Sequence, residues 1–383
     1  MVSATALAVP SHWAAMLMPR IHLPSGVAAL AIWSLVTPGG MAGHPADWML
    51  ELTVRGQRIE GAPVAWNSRQ VVLLARDGQL WRFAPEEAAD YRKTADAFRG
   101  YSPAHLRAAL MRELGSGFEV TGATHYLVAH PSGAGDAWAD QFENLYRRFV
   151  QYFSVRGFSL TEPPFPLIAI VCRNPAEFAR LASQEGIRAS EGLLGFYSVR
   201  SNRIVVYDGN QESRVQGLGE QDFATVIHEA THQMAFNTGI HSRTAEPPVW
   251  VAEGLATVFE GVVDGGASAD GPRQSRVNRA RLRDFRNSGG ASPSSMLADM
   301  VAHDRAFQTS PAAAYAAAWA LTFYLVETQP ARYWQYLART ATRPPLGSYP
   351  STQRTADFAA SFGADWNMLD ARLSRFLDEL SVR

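Results

Sequence analysis

Residues 226–236 read VIHEATHQMAF, in which His228 and His232 stand four positions apart and Glu229 directly follows the first. On an α-helix, residues i and i+4 lie one turn apart on the same face, so the two imidazoles aim at a common point, as two-point capture of a metal ion requires. Neutral imidazole is a good zinc ligand. Glu229 is rotated away from that point and can reach a water at the metal without coordinating, which is the place of a general base. A helical wheel begun at Phe223 gathers Val226, Ile227, Ala230 and Met234 into one apolar stripe and leaves both histidines and Glu229 off it. That placement weakens the alternative, a histidine packed into an ordinary core helix. Two ligands do not complete a site, and the motif needs a third.

The only cysteine is Cys172, which excludes an intramolecular disulfide framework and any Cys-rich zinc module. Metal ligands must therefore be His, Asp or Glu. The stretch PPVWVAEGLATVFEG, residues 247–261, supplies Glu253 on a second helix that begins after two prolines. Twenty residues intervene between His232 and Glu253, enough for a loop and a return to the same cleft. Glu253 sits among Val249, Trp250, Leu255, Val258 and Phe259, where a buried carboxylate is costly unless paired or bound to metal. His241 is the rival third ligand, but nine residues after His232 it would need the chain to fold back at once.

His228-Glu229-x-x-His232 followed by WVAEGLATVFE resembles the gluzincin metallopeptidases, especially their aminopeptidase-N-like branch; Trp250, Glu253, Gly254, Ala256, Phe259 and Glu260 carry the match. The longer stretch from GFEVTGATHYLVAHP to YAAAWALTFYL, residues 117 to about 330, also resembles a bacterial domain of unknown function in the same group. The resemblance implies one zinc ion held by His228, His232 and Glu253, with Glu229 activating the water. It also directs attention to Tyr315, in SPAAAYAAAWALTFYLVE, as a hydrogen-bond donor to the oxyanion of a tetrahedral intermediate. Tyr315, Trp319 and Phe323 recur every four residues, however, so an aromatic core stripe is the competing reading. A metzincin arrangement does not fit, because Ala235 and Thr238 stand where it needs glycine and histidine. Thr257 stands where a thermolysin-like pattern has an acidic residue orienting a ligand, so orientation of a liganding histidine falls to another group.

The elements that must position these residues follow from patterning. Alternation at Trp48, Leu50, Leu52 and Val54, and an Asp77-Gly78 turn between apolar runs, predict a small β module over residues 47–83. Residues 84–116 read as a helical connector, and 117–383 as a gluzincin-like domain. In that domain FEVTGATHYLVAH predicts a strand, Ala137 to Val155 a helix, PLIAIVC a strand, Pro175 to Ala182 a helix, and two short strands end in RIVVYD; everything later is helical. Strands gathered ahead of a helical half predict an α+β, zincin-like fold with a modest sheet. The short strand in GLLGFYS is a candidate edge for pairing with an extended peptide.

Composition narrows the function classes. The 47 % hydrophobic and 19 % charged content is that of a globular chain, and a net charge of −1 offers no general footprint for nucleic acid or an anionic membrane. Arg273, Arg276, Arg279, Arg281, Arg283 and Arg286 form a basic run, read as a solvated helix face or a grip on a substrate carboxylate. His125 and His130 show no partner. Residues 1–43 hold Arg20 and His22 before the apolar run Val27 to Val36, with small residues at Gly40 and Ala42. That run is too short for a stable membrane span and suits a signal peptide for export to the periplasm or beyond; a buried N-terminal helix is the alternative. The expectation is an exported zinc-dependent hydrolase acting on peptide or protein substrates, whose β module docks substrate or envelope partners. The alternative is a zinc-bearing scaffold that keeps the fold and cleaves nothing.

Overall fold

A computed structural model of the chain describes residues 48–133, 135–190, 192–207, 220–264, 272–288 and 293–380; the expected leader, residues 1–43, lies outside them. The architecture is α+β, with an N-terminal β module, a second sheet and a mostly helical C-terminal half.

The alternating residues expected to form strands do so. Strands β1 (Met49–Val54), β2 (Gln57–Trp66), β3 (Val71–Ala75), β4 (Leu80–Phe83) and β5 (Ala88–Ala95) form an antiparallel sheet in the order β4-β3-β2-β1-β5. Arg55 and Gly56, both at positive φ, make the two-residue β1–β2 turn, as the twist of a tight hairpin requires. Leu52, Val54, Val71, Leu73 and Phe83 fill one face, while Ala65, Val72, Leu74 and Leu80 pack on the other with Phe165, which lies just ahead of the buried strand over residues 167–172. Strand β5 corrects the expected helical connector. Its spacing reads as helical, but Asp90 sits at φ 54 and the segment pairs with β1 through two register shifts, so pairing at a sheet edge overrides local pattern. The helix begins only at α1 (Pro103–Leu114), capped by Ser102.

The second sheet runs β6 (Phe118–Gly122), β7 (Tyr126–Pro131), β8 (Leu167–Cys172), β10 (Arg203–Tyr207), β9 (Gly195–Ser198) in spatial order. The single strand expected over residues 118–130 is instead the β6–β7 hairpin, antiparallel and broken near Ala123. The pairs β7–β8 and β8–β10 are parallel, so helical crossovers separate them in sequence: α2 (Ala137–Ser154) and α3 (Pro175–Gln184). Every residue of β8 is buried, because α2 and α4 (Glu220–Asn237) cover one face while α1 and α3 cover the other. Strand β9 pairs antiparallel with β10 and is the sheet edge nearest α4.

The helical half packs around two buried helices, α5 (Val249–Asp264) and, after α6 (Arg279–Asn287), α7 (Pro293–Ala302) and the short α8 (Ala306–Thr309), α9 (Pro311–Thr328). Helix α9 is buried at every position from Ala314 to Val326, as a helix apolar all round must be. Helices α10 (Pro330–Ala341), α11 (Ser351–Phe362) and α12 (Trp366–Glu379) complete the shell. The α5–α9 contact is close enough to demand glycine. A Cβ on Gly254 would lie 2.2 Å from Thr322 Oγ1 and 2.7 Å from the Ala318 carbonyl oxygen. Gly254→Ala is therefore expected to destabilise the fold by about 1–3 kcal/mol through overpacking, more than the helix-propensity gain of about 1 kcal/mol. A urea midpoint equal to or above that of the wild type would contradict this packing.

Candidate metal centre

Helix α4 is held in register on the sheet by its own amides. Gln233, fully buried, donates through Nε2 to the carbonyls of Ile168 (3.0 Å) and Asn202 (2.7 Å), and Asn237 Nδ2 donates to Asn202 Oδ1 (2.7 Å). Its apolar stripe, Val226, Ile227, Ala230 and Met234, enters the main core as the wheel predicts. The other face does not meet solvent, since His228, Glu229 and His232 are each 4 % exposed and α5 packs against the helix.

That packing brings three of the sequence-predicted ligands together. His228 Nε2 lies 3.1 Å from Glu253 Oε2 and 3.1 Å from His232 Nε2, and His232 Nε2 lies 3.5 Å from Glu253 Oε2. A tetrahedral zinc ion with donors at its usual bond lengths spaces them about 3.3 Å apart, so this nitrogen, nitrogen and oxygen set has the right chemistry and size. Among the described residues this is the one cluster of three or more His, Cys, Asp or Glu able to hold an ion. His241 is not in it. Its Nδ1 faces the Ile240 carbonyl at 3.1 Å, its ring packs edge-on to Phe236, and burial lowers its pKa to about 3.

Electrostatics around the cluster favour added positive charge. Burial works against ionised Glu253, but the charges of His232 and His228 and their hydrogen bonds hold its carboxyl well below the usual range. Burial likewise opposes protonation of His228, yet its hydrogen bonds to Glu253 and Glu260 raise its pKa well above the ordinary value. Glu260 is a partner that the motif quoted without a role. Its Oε1 lies 2.8 Å from His228 Nδ1, and its Oε2 accepts from Asn278 Nδ2 at 2.9 Å with Arg281 Nε 3.7 Å away. An ionised carboxylate only accepts, so Glu260 takes the Nδ1 proton of His228; Nε2 then carries a proton toward Glu253, or gives it up where a metal cation takes that proton's place. Glu260 thus does what Thr257 cannot; Thr257 turns its hydroxyl onto the Glu253 and Gly254 carbonyls. A spacing of seven from Glu253, two turns along one helix face, was the available signal.

Glu229 stands beside the cluster and outside it. Its Oε2 accepts from the Tyr197 backbone N–H of edge strand β9 at 2.7 Å, a contact with no signature in the sequence. Burial pushes its carboxyl up; the charges of His228 and His232 pull it down, and the net shift is upward. Gly195 permits the approach, since a Cβ there would lie 2.8 Å from Thr225 and 3.4 Å from Glu229 Cγ. Tyr315 reaches the same place from α9, its ring centroid 6.4 Å from that of His228. Burial, then the charges of Glu253 and Glu229, hold its phenol in the protonated donor form. Trp319 and Phe323 stack on each other in the core, so the aromatic stripe exists and Tyr315 is its end at the cluster.

Two other expectations need correction. The basic run is not simply a solvated face, because Arg276 is 5 % exposed and paired with Glu327, while Arg281 lies over the Tyr315 ring and near Glu260. His125 has a partner, Glu143 Oε1 at 2.9 Å, and His130 bonds Thr121 and the Pro131 carbonyl.

Residues 222–347 match the model of a family described as a protein of unknown function, DUF1570. No curated protein matches the chain. Among solved structures it is similar to an M1 zinc metallopeptidase from Deinococcus radiodurans, at 15 % identity over 69 % of this chain and 50 % of that one, with a TM-score of 0.36. A mutant of the M1 enzyme from that organism matches at 12 % identity over 87 % and 62 % of the two chains, TM-score 0.38. The mutant bound to a Tyr-Ser-Ala substrate matches at 14 % over 68 % and 51 %, TM-score 0.33. The chain spans between half and about three-fifths of the length of these structures.

If the cluster holds zinc with Glu260 orienting His228, Glu260→Gln weakens that binding about 10- to 100-fold, measured by competition with a chromophoric chelator. Unchanged affinity would show that Glu260 does not orient the ligand.

Proposed function

We propose that the chain is a gluzincin-type zinc metallopeptidase that hydrolyses peptide bonds. The observation that carries this reading is the convergence of His228 Nε2, His232 Nε2 and Glu253 Oε2 within 3.1–3.5 Å of one another, with the Glu229 carboxylate held beside them by a backbone N–H. In this reading His228, His232 and Glu253 hold one zinc ion. When bound, zinc supplies Lewis acidity that polarises a carbonyl and lowers the pKa of water.

The chain's own residues do the rest. Glu229 accepts the proton of the attacking water and passes it to the leaving amine, a task suited to a buried carboxylate with a raised pKa. Tyr315, a protonated phenol facing the cluster, donates to the oxygen that gains charge as the carbonyl becomes tetrahedral. Strand β9 is the sheet edge beside the base, and although its four residues are buried, it would meet an extended peptide through the backbone groups that it turns away from β10. Leu194 and Ser198 carbonyls bond within the hairpin, so alternation turns Gly195 and Tyr197 away from β10. Tyr197 N–H is already committed to Glu229, which ties the substrate edge to the base. Residues 1–43 are proposed to direct export; among the described residues no helix is long and apolar enough to cross a membrane.

The test is hydrolysis of a mixed peptide library, followed by mass spectrometry, for the zinc-loaded wild type and two variants. Chelator-sensitive cleavage is expected. Glu229→Gln should lower kcat by about 10²–10⁴-fold and Tyr315→Phe by about 10²–10³-fold, both with zinc retained. A protein that holds zinc and cleaves no peptide would favour the scaffold reading.

A further inference from the structure

Residues 273–278 run against α5 at Thr257, Glu260 and Gly261 as a strap, with a 3₁₀ turn at Arg273–Arg276 and then Asn278 at the N-cap of α6. The strap lies directly on the helix. A Cβ on Gly261 would sit 2.7 Å from the Asn278 backbone nitrogen and 2.8 Å from the Arg276 carbonyl oxygen, so only glycine lets the two backbones meet. Asn278 is 9 % exposed and uses both ends of its amide. Oδ1 accepts from the Arg281 N–H at 3.1 Å, and Nδ2 faces the Thr257 carbonyl at 3.2 Å and Glu260 Oε2 at 2.9 Å. The strap's other end is tied by Arg276 Nη2, which donates to Glu327 Oε2 at 2.6 Å near the end of α9, while Arg156 from beyond α2 donates to Glu327 Oε1 at 3.0 Å. Part of the arginine run is thereby accounted for: its buried member is an anchor for the strap.

We propose that this strap sets the metal affinity of the His228, His232 and Glu253 cluster, with Asn278 as the positioning residue that acts through Glu260 on His228. The inference rests on the reading of that cluster as a zinc site. Each link is a hydrogen bond: Asn278 Nδ2 donates to Glu260 Oε2, and His228 Nδ1 donates to Glu260 Oε1, with His228 Nε2 in the cluster. Of Glu260's two oxygens, one is used by the histidine and the other by the strap, with Arg281 Nε 3.7 Å from the latter as an ion-pair partner and no hydrogen bond to it. Loss of the strap's donor frees the carboxylate to turn, and the imidazole loses its fixed orientation.

Asn278→Ser separates this role from a merely structural one, because serine keeps an N-cap acceptor for α6 but is too short to reach Glu260. The measurement is zinc dissociation constants by chelator competition for wild type, Asn278→Ser, Glu260→Gln and the double variant. Asn278→Ser is expected to weaken zinc binding about tenfold, with a clearly smaller loss when Glu260→Gln is already present, since residues acting in series are not additive. Gly261→Ala, which wedges a methyl group between helix and strap, is expected to weaken zinc binding as well. Unchanged affinity in Asn278→Ser, or the same loss in both backgrounds, would overturn the proposal while leaving the zinc site standing. A wild type that binds no zinc would overturn the site itself, and the strap's role with it.

Discussion

Three lone-pair-bearing atoms, two imidazole nitrogens and a carboxylate oxygen, meet within 3.5 Å where water is largely shut out. Such a group is stable only with positive charge shared among its members, whether a proton or a metal ion. Glu229 and Glu260 add two more carboxylates nearby, and the cation nearest Glu260 besides the histidines is Arg281 at 3.7 Å. Much of the surrounding structure can be understood as what holds this charge-demanding cluster in place. Helix α4 presents the histidines because Gln233 and Asn237 fix it on the sheet, and α5 presents Glu253 because Gly254 lets it lie against α9.

The β module is joined to the same frame. Leu80 N–H donates to the Arg200 carbonyl at 2.7 Å, and Arg82 donates to the Arg243 carbonyl at 3.1 Å. Arg243 in turn is buried and donates to the Val199 carbonyl at 2.6 Å, inside the turn that joins β9 to β10. Gly78, at φ +86, fits against Phe165 and Asn202, where a Cβ would approach to 2.9 Å and 3.2 Å. Asn202 itself takes a left-handed conformation at φ 61 and links Tyr197, Gln233 and Asn237. The hairpin of the first sheet therefore rests on the turn that delivers Tyr197 N–H to Glu229. The module is thus a neighbour of the cluster's frame and not a bead on a linker.

The parts of this arrangement that were legible in sequence are those governed by local periodicity. The i, i+4 histidines, the apolar stripe of α4, the all-apolar β8, the Asp77-Gly78 turn and the helical second half follow from spacing alone. Glu253 was legible because a carboxylate in an apolar helix needs a reason to be there. What could not be read depends on tertiary pairing. Strand β5 takes its conformation from β1, and the β6–β7 turn is marked in the sequence only by the single Gly122, with no Asn-Gly or Asp-Gly pair to announce a hairpin. The backbone donor to Glu229 has no side chain to announce it, and Asn278 looks like any polar residue after a basic run. Glu260 lay within the quoted motif, yet its role appears only when the helix turns it toward His228.

In the proposed function, a bound metal ion supplies the positive charge that the cluster needs. Elemental mass spectrometry of the purified protein after zinc reconstitution and removal of free metal tests this most directly, with His232→Ala and Glu253→Ala as comparisons. Close to one zinc per chain is expected in the wild type, and its loss in both variants. A wild-type protein that remains metal-free, or variants that hold zinc as well as it does, would contradict it.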